Sequence, residues 1–209
     1  MDPRAKQVFA EYAVRAAEEA RLMQRLSYSE GMARRDDFLL PIGEDTGTLL
    51  SLLIRSTRPK TVLELGTSYG YSTLYLAEAT QAVGGQVFTL ERAAHKSEYA
   101  QAAIERAGLA AAVQFHVGDA LTLLPTLAGP FDFVLLDLWK DLYVPCLELL
   151  MPRLRAGAFV IADNMIYPEQ ARTDANAYRQ RVRELGLDSV LLPIGSGIEV
   201  SRTGSSVNG

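Results

Sequence analysis

Apolar positions recur through residues 3–26 at steps of four and three. Phe9, Ala13, Ala16, Ala20 and Met23 fall on one helical face, with Arg4, Lys6, Glu11, Arg15, Glu18 and Arg21 over much of the rest. Residues 30–42 carry Gly31 and Pro41 as breakers and read as irregular. A second helix is predicted from Glu44 or Asp45 to about Ser56, stopped by Arg58-Pro59. From Lys60 the pattern becomes regular. Short apolar runs at 61–65, 86–90, 113–117, 131–136 and 158–162 predict buried strands, and helices are predicted over 70–82, 94–107, 120–127, 143–154 and 174–185. Residues 189–192 and 198–201 are expected to form a terminal hairpin around Gly195 and Gly197. Strands alternating with helices of this length imply βαβ units and a parallel sheet, an α/β fold. No internal repeat is evident, and the tail 204–209 reads as disordered.

Composition narrows the classes. The chain has 209 residues, 48% hydrophobic and 22% charged, an ordinary globular balance that suits one domain with some elaboration. Its net charge of −4 supplies no basic field for nucleic acid or an anionic membrane. No run approaches the ~18 apolar residues that read as a membrane span. The single cysteine, Cys146, cannot form an internal disulfide and suits a reducing cytoplasm; it sits in an apolar helix and reads as packing.

The first strand of the sheet runs into Glu64-Leu65-Gly66-Thr67-Ser68-Tyr69-Gly70-Tyr71-Ser72 and then straight into a helix. A tight strand–helix connection is the plain reading. Three functional readings compete with it. Gly66-Thr67-Ser68-Tyr69-Gly70 matches the G-x-S-x-G nucleophile elbow, which needs a general-base histidine late in the chain. The only histidines are His95 and His116, so the triad cannot be assembled in the required order. A dinucleotide fingerprint needs G-x-G-x-x-G, and Ser68 stands where its second glycine would let a pyrophosphate approach. The third reading is an S-adenosylmethionine site. That ligand carries a carboxylate, which a helix N-terminus and a hydroxyl such as Ser72 can hold. Glu64 can face its ammonium group, Glu91 can accept hydrogen bonds from both ribose hydroxyls, and Gly118-Asp119-Ala120 can border the adenine.

The fourth strand ends Asp137-Leu138-Trp139-Lys140-Asp141, and the fifth ends Asp163-Asn164. These ends lie side by side in a parallel sheet. Asp137, Asp163 and Asn164 offer three oxygen ligands and no nitrogen or sulfur, which favours a hard cation such as Mg²⁺. Lys140 lies three residues past Asp137. Beside a divalent cation its ammonium form is disfavoured, which moves it toward proton acceptance.

On these residues the chain resembles the Mg²⁺-dependent O-methyltransferases of the catechol and caffeoyl-coenzyme A type. The resemblance runs from about Phe38 to Arg202. It is strongest at 64–72, at Leu136-Asp137-Leu138-Trp139-Lys140-Asp141 and at Ala162-Asp163-Asn164-Met165-Ile166-Tyr167-Pro168. It implies a Rossmann-like, seven-stranded, mainly parallel sheet over 58–203 with an antiparallel last strand, preceded by a helical elaboration over 1–57. It further implies that Asp137, Asp163 and Asn164 hold the metal and that Lys140 is the base. Glu64, Gly66, Ser68, Gly70, Ser72, Glu91, Asp119, Ala120 and Asp137 would surround S-adenosylmethionine, with Ile42 and Trp139 packing near it. Phe38 and Pro168 match apolar walls around an aromatic substrate, which Lys140 and Asn164 would also touch. The implied reaction is methyl transfer to one hydroxyl of a vicinal dihydroxy aromatic.

One departure matters. The mammalian catechol enzyme has a glutamate before the last strands that grips the second hydroxyl, and here Val190 or a neighbour falls at that position; Glu199 belongs to the final strand. Two alternatives stay open: a phenylpropanoid or flavonoid methyltransferase, and a non-catalytic S-adenosylmethionine-binding protein. The apolar face of residues 3–26 has two expected uses, covering the site or pairing two subunits.

Overall fold

The computed structural model describes residues 2–204, without the side chains of Tyr28 and Met32. Three helices come first: α1 (Pro3–Met23), α2 (Tyr28–Ala33) and α3 (Glu44–Thr57). Then strands and helices alternate: β1 (Thr61–Leu65), α4 (Tyr71–Val83), β2 (Gln86–Glu91), α5 (Ala94–Arg106), β3 (Val113–Val117), α6 (Ala120–Leu123), β4 (Phe131–Leu136), α7 (Tyr143–Leu150), β5 (Leu154–Ala162) and α8 (Arg172–Glu184). A hairpin, β6 (Asp188–Leu192) and β7 (Ile198–Arg202), closes the chain.

The seven strands form one sheet in the order β3-β2-β1-β4-β5-β7-β6. All pairs are parallel except those of β7, which runs antiparallel to β5 and β6. The expected fold class holds. Strands β1 and β4 are buried along nearly their whole length, with Thr61, Glu64 and Asp132 as their polar residues, because helices cover both faces of the sheet, which removes the polar-out alternation of a one-sided sheet. Alternate residues feed opposite cores. Val62 and Phe133 pack with α1, α3, α4 and α5 on one face, while Leu63 and Val134 pack with α6, α7 and α8 on the other. The chain goes from β1 outward to β2 and β3, then returns to β4 on the other side. The crevice beyond the carboxyl ends of β1 and β4 is therefore the switch point where ligands of such sheets bind.

Several boundaries differ from the sequence reading for identifiable reasons. The helices predicted at 120–127 and 143–154 stop at Leu123 and Leu150 and tighten into 3₁₀ turns at Leu124–Thr126 and Met151–Arg153. Pro125 and Pro152 lack the N–H that another α-helical turn would need. Strand β5 accordingly begins at Leu154, not at 158. Residues 30–42 are not wholly irregular. The Ser27 hydroxyl accepts from Glu30 N–H while the Glu30 carboxylate accepts from Ser27 N–H, a capping box that starts α2, and a 3₁₀ turn follows at Arg35–Asp37. The buried face of α1 is Ala5, Val8 and Tyr12, whereas Ala13, Ala20 and Met23 are exposed. Gly204 accepts a hydrogen bond from Gly157 N–H; the rest of the tail expected to be disordered, 205–209, lies outside the described residues. Among the described residues no helix is long and apolar enough to cross a membrane.

Candidate active site

The turn after β1 is built against the ends of both neighbouring strands. Gly66 and Thr67 N–H both donate to Leu90 O, at 3.0 and 3.1 Å, tying the turn to β2. On the β4 side, a Cβ at Gly66 would lie 2.1 Å from Asp137 O, and its φ of +103° suits only glycine. Gly70 opens α4 at φ +89°, where a Cβ would meet Ala100 Cβ at 2.7 Å. Between them Ser68 adopts a left-handed conformation and donates its N–H to Glu91 Oε2 at 2.8 Å. Ala93 N–H donates to the other Glu91 oxygen at 2.8 Å. The Glu91 carboxylate is thus held by two backbone donors, with lone pairs left for a ligand.

Glu64 is fully buried behind the turn. Three hydroxyls donate to it: Ser72 Oγ, and Thr73 Oγ1 and Thr89 Oγ1 at 2.6 Å. Burial pushes its carboxyl up to about 7, the hydroxyls pull it down, and Asp137 adds a smaller upward push. Because a hydroxyl has one proton, Ser72 gives its own to Glu64. An anion at this turn meets instead the first N–H groups of α4, which have no intrahelical acceptor.

The acidic cluster is assembled by the sheet ladder. Asp137 N–H donates to Leu65 O at 2.9 Å and Asp163 N–H to Leu136 O at 3.0 Å, so the strand ends step from β1 to β4 to β5. Asn164 follows in a left-handed conformation, φ +56°. Lys140 Nζ donates to Tyr143 OH at 2.6 Å, to Asn164 Oδ1 at 2.9 Å and to Leu138 O at 3.1 Å. Burial raises Asp137, and Lys140 opposes that shift. Asp163 is pushed up to about 7 by burial and then by Asp137. Desolvation lowers the Lys140 amine below its ordinary range, with Asp137 and Asp163 drawing it back. Asp163 is 2% exposed, and its Oδ1 is buried with no hydrogen-bond partner. Among the described residues no three His, Cys, Asp or Glu side chains form a group that could hold a metal ion; Asp137, Asp163 and Asn164 bring two carboxylates and one amide oxygen. An orphaned carboxylate oxygen within an all-oxygen set fits a hard divalent cation.

The other predicted residues are distributed around this core. Ile42 is buried, and Phe38 is 2% exposed with the Arg34 guanidinium 5.5 Å from its ring centre. Trp139 is 51% exposed beyond the end of β4. Ala120 is buried, and the exposed Asp119 caps α6 by accepting from Leu121 and Thr122 N–H. Pro168 is exposed on the loop after β5. Val190 is half exposed in the middle of β6, an edge strand of the sheet. His95 is exposed, and Cys146 is buried, as expected of a packing residue.

Sequence reasoning missed what fastens residues 35–39 over the glycine turn. Tyr69 OH donates to Asp36 O and Lys96 Nζ to Asp36 Oδ1, each at 2.7 Å. Arg15 donates to Asp37 O, and Leu39 N–H donates to Glu19 Oε2 at 2.6 Å. Tyr12 OH donates to Tyr69 O. Tyr143, at the centre of the Lys140 contacts, stands in the sequence pattern only as the start of a helix. Its one available signal was its place three residues after Lys140.

Comparison with known proteins bears on the family and the fold. A family model described as O-methyltransferase matches residues 14–203. Catechol O-methyltransferase of Niastella koreensis is 37% identical over 131 residues, 61% of this chain and 59% of that protein. Catechol O-methyltransferase of Mycobacterium tuberculosis is 36% identical over 153 residues, 70% of this chain and 69% of that one. The chain thus spans between about six and seven tenths of these two relatives. Among solved structures, cofactor-bound Rv0187 from MTB superposes with a TM-score of 0.77 at 28% identity, covering 99% of this chain and 92% of that one. The O-methyltransferase from Bacillus cereus in complex with SAH shares the fold, with a TM-score of 0.76 at 24% identity and coverage of 97% and 91%. A family match that takes in every strand of the sheet makes this chain a member of the O-methyltransferase family.

Proposed function

We propose that the protein transfers a methyl group from S-adenosylmethionine to one hydroxyl of a vicinal dihydroxy aromatic, with Mg²⁺ or a similar hard cation held by Asp137, Asp163 and Asn164. One observation carries the reading: the orphaned Asp163 oxygen shares a crevice with Asp137, Asn164 and a desolvated lysine amine, beside a glycine turn at the switch point.

Each residue then has a physical task. The α4 N-terminus receives the cofactor carboxylate, and Glu91 accepts the ribose hydroxyls with its remaining lone pairs. Glu64 sets negative charge behind the turn, complementary to the cofactor ammonium. Trp139 and Ile42 pack beside the cofactor, and Phe38 and Pro168 bound the aromatic ring. Lys140, its charged form disfavoured by burial, takes the proton from the reacting hydroxyl. The metal, when bound, supplies positive charge that favours the phenolate form of a chelated hydroxyl. S-adenosylmethionine supplies an electrophilic methyl group on a sulfonium. Holding oxygen and methyl near attack distance lowers the remaining barrier.

The test is methylation of catechol, with a caffeoyl thioester assayed beside it, in Mg²⁺ and in excess chelator. Turnover of catechol that vanishes with chelation and returns with Mg²⁺ is the expected result. Full turnover in chelator overturns the metal assignment, and no methyl transfer to any diol favours a binding protein.

A further inference from the structure

We propose that Tyr143 is the positioning residue for Lys140: its buried hydroxyl holds the lysine amine at the metal-side edge of the crevice. This inference rests on the reading of Lys140 as the base.

Lysine carries a flexible four-carbon stem, so an amine that must meet a substrate hydroxyl needs fixing. Lys140 Nζ has three acceptors within reach; as the neutral base it donates to two of them at a time and keeps its lone pair for the substrate proton. Two of them are poor anchors. Leu138 O is only two residues away in the same turn and follows the lysine backbone. Asn164 Oδ1 belongs to a side chain in the set proposed to hold metal. Tyr143 OH, the shortest contact at 2.6 Å, is the rigid one.

Its rigidity is visible on every side. Tyr143 is fully buried, and its ring meets Tyr178 edge-on at 5.5 Å. Its hydroxyl lies 2.9 Å from Leu136 O and 3.2 Å from Asp163 O, the carbonyls that end β4 and open the loop after β5. The amine is thereby referenced to the same two strand ends that carry Asp137 and Asp163. Packing alone does not explain a phenol here. The other inward residues of α7 are Cys146, Leu147 and Leu150, so phenylalanine would serve the core equally well. Leu136 O also accepts Asp163 N–H, so losing the hydroxyl leaves that carbonyl partnered.

The experiment compares the 209-residue chain with Tyr143→Phe, Lys140→Met and the double variant, using catechol, S-adenosylmethionine and Mg²⁺. Calorimetry with S-adenosylhomocysteine and with Mg²⁺ alone reads the site independently of turnover. Tyr143→Phe should lower kcat roughly 10- to 100-fold, the scale of a misplacement of about 1 Å. Both KM values and both calorimetric affinities should stay within about twofold of the parent, since the hydroxyl is assigned to neither ligand. In the Lys140→Met background the same change should cost less than about twofold, because a residue acting through Lys140 is non-additive with it. Equal losses in both backgrounds, or affinities that fall along with kcat, overturn the proposal. So does an unchanged kcat in Tyr143→Phe while Lys140→Met is inactive, and that outcome leaves the base assignment standing. A fully active Lys140→Met overturns the base assignment and this inference with it. If Tyr143→Phe does not fold, Tyr143→4-fluorophenylalanine fills the hydroxyl's space without a comparable hydrogen bond and decides on the same criteria.

Discussion

Arg35 lies over the indole of Trp139, its guanidinium carbon 4.5 Å from the ring centroid. This cation–π contact joins residues 35–39 to the end of β4, while Asp36 joins the same turn to Lys96 on α5 and to Tyr69 on the glycine turn. The segment therefore bridges the glycine turn after β1 and the end of β4.

Loosening that bridge should show in proteolysis. Lys96 is nearly buried but Asp36 is mostly exposed, so the pair is worth roughly 1 kcal/mol or less. Lys96→Met should raise the rate of tryptic cleavage after Arg34 and Arg35 about two- to fivefold, the equivalent in local opening. Trp139 is the chain's only tryptophan, so its emission should shift in the same variant. Unchanged cleavage and emission would mean the other fastenings hold the segment alone.

Stability without metal should fall as the pH rises from about 5 to 8. Asp163 and Glu64 are both raised to about 7 by burial, and Asp137 is raised as well, so the folded chain holds protons that the unfolded chain has released above about 4. Groups raised in this way stabilise the fold at low pH and lose that contribution as the pH climbs through the folded value. His116 and Lys140 are both lowered by burial and oppose the trend, two groups against three. Thermal midpoints measured in chelator should drop across this window. Adding Mg²⁺ should restore more stability at pH 8 than at pH 6, since a hard cation binds the carboxylate form. A midpoint that rises with pH in chelator would contradict the burial argument.

Gly66→Ala should abolish the native fold or cost more than about 3 kcal/mol. The added Cβ would sit 2.1 Å from the carbonyl oxygen of Asp137, on backbone that cannot give way, and φ is +103°. Chemical denaturation checks it; a loss under about 1 kcal/mol would mean that the β1 and β4 ends can separate.

The regiochemistry follows from what holds the far side of the ring. Glu199 is 1% exposed and already engaged by Arg179 at 2.7 Å and by Ser189 Oγ at 2.9 Å. Val190 brings no carboxylate. A single charge-assisted hydrogen bond is worth about 1.5–3 kcal/mol, enough for a tenfold preference between isomers. A 3,4-dihydroxylated aromatic should therefore give both meta and para products by chromatography. More than about 95% of one isomer, a preference of ~1.4–1.8 kcal/mol, would sink this argument.

What the sequence determined by itself was whatever local periodicity and turn chemistry control. The strand and helix alternation, the glycine turn, and the acids placed one residue past the ends of β4 and β5 all follow from residues close together in the chain. The catechol-type motifs read in the same way. Partners distant in sequence depended on how helices pack on the sheet. Glu64 meets Thr89 across 25 positions, and Asp36 meets Lys96 across 60. The same packing put Ala5, Val8 and Tyr12 of α1 inward in place of the stripe through Ala13 and Ala20. Both stripes satisfy helical spacing, and only the surface offered by α4 and α5 chooses between them. Tyr143 was hidden for the same reason: an apolar helix explains a tyrosine ring, and only the convergence of β4, β5 and α7 gives its hydroxyl three partners.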